Sequence, residues 1–123
     1  MRILVATFAL AYSVAAAPVD VGRPVVRKSS QAELLRDYAL ARCLSQAFPG
    51  SPLAPDANAS AAGYLERGRV SADAYAEVVK LADEFLARKY PSLSGQALQT
   101  MKCIDLFHSS ELDRVVGRYA PKR

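Results

Sequence analysis

The chain has 123 residues, 51% of them hydrophobic, with 16 Lys and Arg against 12 Asp and Glu and a formal net charge of +4. That length suits one compact domain. A charge so mildly positive suits a soluble protein and gives no reason to expect a nucleic-acid partner.

Residues 1–16 read as a secretory signal peptide. Met1 and Arg2 make a short basic start, a mostly apolar run follows from Ile3 to Val14, and small residues stand at Ala15, Ala16 and Ala17. The run is too short for a membrane span, which takes roughly 17–25 predominantly apolar residues. Cleavage after Ala16 makes Ala17 the first mature residue; with Arg2 gone, 15 basic residues face 12 acidic ones and the net charge is +3. Residues 17–29 carry two prolines and a glycine without helical periodicity, and are expected to form an extended or disordered arm.

Residues 30–123 are expected to hold the helical domain. Ser30 and Glu33 have the spacing of a capping box. Leu34, Leu35, Tyr38, Ala39, Cys43, Leu44 and Ala47 then recur at helical spacing, until Pro49-Gly50 stops the helix near Phe48. A second helix, rich in alanine, is expected over about 57–67, with Gly68 taking the left-handed conformation at its end. Ser71 caps a third, whose stripe is Tyr75, Val78, Val79, Ala82, Phe85 and Leu86; Pro91 closes it. The segment KYPSLSG leads to a fourth helix over about 96–108. Ser110 caps a fifth, with Leu112, Val115, Val116 and Tyr119 on its apolar face. Strand signals are weak throughout. The expected fold is all-α, one compact bundle of about five short helices.

Cys103 and the only histidine, His108, are the residues that suggest chemistry. On one helix a five-residue separation is about 140° around the axis and about 7.5 Å along it. A nucleophile and its base need contact at about 2.6–3.2 Å, so the pair does not make a Cys–His enzyme. One histidine and two cysteines some sixty residues apart also lack the paired spacing of a zinc site. His108 fits a structural role in the last turn of its helix, with Asp105 within reach. No catalytic, metal or cofactor site is expected. Export favours a Cys43–Cys103 disulfide, which restricts the unfolded chain by about 4 kcal/mol in the loop-entropy model; two buried free thiols are the alternative. What remains is an exported helical protein that works by binding.

Four segments in order, DYALARCL (37–44), NASAAGYLERG (58–68), AYAEV (74–78) and MKCIDLFHSSEL (101–112), together resemble the immunity proteins that neutralise amidase effectors of the bacterial type VI secretion system. The resemblance runs from about Asp37 to Tyr119. It implies a periplasmic helical homodimer that is not an enzyme. Its partner is a cognate toxin with a catalytic cysteine and histidine that cuts peptide cross-links in peptidoglycan. A protruding loop of the immunity protein enters and blocks the toxin's substrate groove.

The candidate loop is KYPSLSGQ, residues 89–96. Tyr90 can bury a ring and still offer its hydroxyl. Pro91 restricts the free loop and lowers the ordering cost on binding. Leu93 would be an apolar tip, flanked by Ser92, Ser94 and Gln96 as polar contacts, and Gly95 allows close approach. Two alternatives stand beside this. Leu93 can fold back onto the core of its own domain, leaving an ordinary connection. The whole protein can instead be an exported helical module that binds a small molecule or cell-envelope component between its helices.

Overall fold

The structure, a computed structural model, describes residues 15–17 and 28–121; residues 1–14 of the expected signal peptide and 18–27 of the expected arm lie outside them. Five helices follow in order: α1 (Gln31–Ala47), α2 (Leu53–Arg67), α3 (Ala72–Leu86), α4 (Gln99–Phe107) and α5 (Ser110–Tyr119). Among the described residues there is no strand, as the sequence pattern requires.

The capping box forms as read. Ser30 Oγ accepts from the Glu33 amide at 3.2 Å, and the Ser30 amide donates to Glu33 Oε2 at 2.8 Å. Two of the donors that a helix start leaves free are thus satisfied. At the other end the chain turns through Gly50, at φ +78°, where the Ser51 amide and hydroxyl both donate to the Phe48 carbonyl.

α2 begins four residues earlier than expected. Pro52 precedes its first residue and Pro55 lies in its first turn. A first-turn proline costs little, because the N–H it lacks has no partner there anyway. Gly68 also departs from expectation: it is extended (φ −75°, ψ 148°), not left-handed. Ser71 precedes α3 but its side chain makes no capping hydrogen bond. α4 starts at Gln99 instead of 96, after Leu98 in the left-handed region (φ 54°). Ser109, not Ser110, caps α5, its hydroxyl accepting from the Leu112 amide at 3.1 Å.

α1 packs against all four other helices, whereas α2 rests on α1 alone. Ala57 and Ala61 are the buried residues of α2, so the two helices approach closely, and Arg42 Nη1 donates to Asn58 Oδ1 at 2.6 Å across them. The interior is filled by Phe85, Leu35, Leu106, Leu112 and Val78 together with Cys43 and Cys103, each less than 2% exposed. The two cysteines are joined, with Cα atoms 5.5 Å apart, within the range a disulfide needs. The bond ties α1 to α4 at the centre of the core. Ion pairs finish the outside: Arg36 with Asp113, Arg88 with Glu111, and Arg118 with Glu77.

Candidate partner-binding loop

The bridge settles the role of Cys103: its sulfur is spent in the disulfide and fully buried. His108 stands apart from it, exposed at the end of α4, its ring edge-on to Phe107 at 5.2 Å. Asp105, expected near His108, instead accepts a 2.6 Å hydrogen bond from the Tyr90 hydroxyl. Among the described residues no group of three or more His, Cys, Asp or Glu is gathered to hold a metal ion. None of their helices is long and apolar enough to cross a membrane.

The segment between α3 and α4 leaves the bundle and returns. Its entry limb is fixed by Tyr90, which is half-buried. The hydrogen bond to Asp105 pushes the Tyr90 phenol above its ordinary pKa, with burial adding to the shift. Just before it, the Arg88 guanidinium lies over the Phe85 ring at 3.5 Å and meets Glu111 at 3.2 Å. The Glu111 carboxyl is held below the usual range, first by its own backbone amide and then by Arg88.

At the tip, Leu93 is 111% exposed, more so than any other large hydrophobic side chain described. It does not fold back onto the core. Ser92 and Ser94 bring their hydroxyls together at 3.1 Å beneath it, and the Gln96 amide donates to Ser94 Oγ at 3.3 Å. Gly95 has φ +75°, a conformation that side chains disfavour, so it supplies the turn. Pro91 sits exposed between anchor and tip. Of the residues singled out for partner binding, Tyr90 anchors this segment through Asp105 and Leu93 stands fully exposed at its tip.

Two features escaped the sequence reading. Phe48, Leu98, Met101 and Ile104 line an open apolar groove of about 690 Å3 beside the loop, with Met101 and Ile104 each 49% exposed. The second is Lys102, the buried charged residue of the core at 5% exposure. Its ammonium group donates to the Leu86 carbonyl at 3.1 Å and to Gln99 Oε1 at 2.9 Å, and lies 5.7 Å from the centre of the Tyr90 ring. A signal for it existed. Lys102 adjoins Cys103 and precedes Leu106 by four, which places it on the inward face of α4.

Comparison with known proteins gives a consistent result. Residues 33–116 match the family model described as Tai4, type VI secretion system (T6SS), amidase immunity protein. No curated protein matches the chain. Among solved structures, the effector–immunity system Tae4/Tai4 from Salmonella typhimurium is similar at 36% identity and a TM-score of 0.70, over 76% of this chain and 93% of that one. The Tae4–Tai4 complex from Enterobacter cloacae is similar in fold at 22% identity and a TM-score of 0.66, over 76% and 95%. So is a structure described as new type VI-secreted toxins and self-resistance proteins in Serratia marcescens, at 21% identity and 0.69, over 90% and 91%.

Proposed function

Because this chain belongs to the Tai4 family of type VI secretion amidase immunity proteins, we propose that it neutralises a peptidoglycan-cleaving amidase by seating the loop 89–96 in the toxin's substrate groove. The observation that carries the mechanism is Leu93, a fully exposed leucine at the tip of a loop whose base is tethered. An apolar side chain held out in water gains nothing for its own fold; burial in a partner's cleft recovers about 1.5–3 kcal/mol. Ser92, Ser94 and Gln96 surround the tip with hydrogen-bonding groups, and Met101 and Ile104 extend the apolar surface beside it. The inhibitor needs no chemistry of its own.

The partner in this reading is an amidase of the Tae4 kind, the effector paired with the similar immunity protein from Salmonella typhimurium. Residues 1–16 direct the chain to the periplasm, where peptidoglycan is exposed to the toxin, and the mature protein acts there as a homodimer. The rival reading, a module with a ligand between its helices, is disfavoured by an interior occupied by Phe85, Leu35, Leu106, Leu112 and the disulfide.

The test assays the protein encoded beside this gene for cleavage of peptidoglycan fragments, with and without the mature protein. Mature protein is expected to inhibit stoichiometrically and to co-elute with the enzyme. Leu93→Asp is expected to weaken binding at least a hundredfold, since it places a charge in an apolar cleft, with an unchanged melting temperature. A Leu93→Asp protein that inhibits like the wild type removes the plug. An adjacent gene product without amidase activity removes the larger reading.

A further inference from the structure

We propose that Lys102 is a positioning residue for this loop: from the base it ties the last turn of α3 to the first turn of α4, and so sets the shape of residues 87–98 before a partner arrives. The inference rests on the reading of the loop as the binding element.

Lysine is among the residues least often buried, because its charge is costly to remove from water. Here the cost is met by specific acceptors at the two ends of one connection. Leu86 is the last residue of α3, and its carbonyl is one of the four that a helix end leaves without an internal partner. The negative end of the helix dipole also favours a cation there. Gln99 is the first residue of α4, three before Lys102 and hence its neighbour on the helix surface. One ammonium group therefore bridges the place where the chain leaves the bundle and the place where it returns.

The third neighbour of the ammonium group is the face of Tyr90, within the distance at which a ring attracts a cation. Tyr90 is held in turn by Asp105, again three residues along α4. Lys102 and Asp105 thus grip the entry limb from adjacent positions, and the left-handed Leu98 fixes the exit. Neither grip reaches Leu93 itself. Their effect on binding is indirect: a loop already in shape loses less freedom when it docks.

The experiment uses the mature protein and Lys102→Met, which keeps an apolar stem and removes every donor. Amide hydrogen exchange across 87–98 is expected to speed up about tenfold in the free variant, with exchange in α1 and α5 unchanged. Affinity for the amidase is expected to fall about tenfold, equivalent to about 1.4 kcal/mol. In a Leu93→Asp background the same substitution is expected to cost almost nothing more, because a positioning residue acts through the tip it positions. Unchanged loop exchange overturns the proposal. So does a loss of affinity that is equally large without Leu93, which would mean that Lys102 supports the fold or touches the partner. If Lys102→Met does not fold, Gln99→Leu, which removes the side-chain acceptor of the ammonium group, decides the matter: it must speed exchange across 87–98. Exchange reads the free protein alone, so a wild type that binds no amidase refutes the proposed function without bearing on the clamp.

Discussion

A methyl group added at Gly68 would run into the Tyr75 hydroxyl and lie 3.3 Å from the Leu65 carbonyl oxygen. Space, not backbone conformation, requires glycine here, since its φ and ψ suit any residue. Tyr75 is hindered from moving away, because its half-buried ring packs against the core, edge-on to Tyr38 at 4.9 Å. Gly68→Ala is therefore expected to lower stability by about 1–3 kcal/mol, the usual cost of overpacking. Adding Tyr75→Phe removes the obstructing oxygen and should restore part of the loss. Denaturant unfolding of the single and double variants checks both statements; equal midpoints for the wild type and Gly68→Ala would contradict the contact. Leu93 shows the opposite relation between a residue and its surroundings. It touches little in the free protein, so its substitution is read in binding and not in stability.

At the scale of elements, Tyr90, Tyr75 and Tyr119 are each pinned in the neutral form. Tyr90 and Tyr119 donate to carboxylates, Asp105 and Glu77, while Tyr75 is raised by burial first and then by Tyr38. A folded-state pKa above the unfolded value means that the native chain holds its proton longer. The resulting stability is complete below about pH 10 and is lost as pH rises through the shifted range. Tyrosinate absorbance can follow this directly, as the chain contains no tryptophan. Asp105→Asn should bring Tyr90 back down and loosen the loop; a titration curve identical to that of the wild type would argue against the tether. These pairings also show what a sequence reveals. Caps and apolar stripes lie close together along the chain, so all five helices and the Ser30–Glu33 box were legible. Pro52 and Pro55 read as breakers because their position relative to a helix start is invisible until the start is known. Leu98 carries no mark of its left-handed conformation, and its strain postpones α4 to Gln99. The loop's composition pointed to Leu93, but Tyr90 and Asp105 are fifteen residues apart, and nothing local joins them.

For the whole molecule, the disulfide links fold to location. It closes a loop of 60 residues and joins α1, which touches every other helix, to α4, which carries both Lys102 and Asp105. In the loop-entropy model such a closure contributes about 4 kcal/mol, a large share of the roughly 5–15 kcal/mol that holds a typical domain. A domain of this size shifts by about 4–8 °C in Tm per kcal/mol. The Cys43→Ala/Cys103→Ala variant should therefore melt about 15–30 °C below the oxidised protein, and chemical reduction should have a similar effect. Circular dichroism melts of the three forms measure this, and a reduced protein melting within about 5 °C of the oxidised one would contradict it. The consequence extends to the loop. Loss of the bridge frees α4 to shift relative to α1 and α3, and the grip of Lys102 on the Leu86 carbonyl depends on that placement. Affinity for the amidase should thus fall on reduction even at temperatures where most of the helix content survives. A protein built in this way is expected to be fully competent only where disulfides form, which suits the export proposed for the chain.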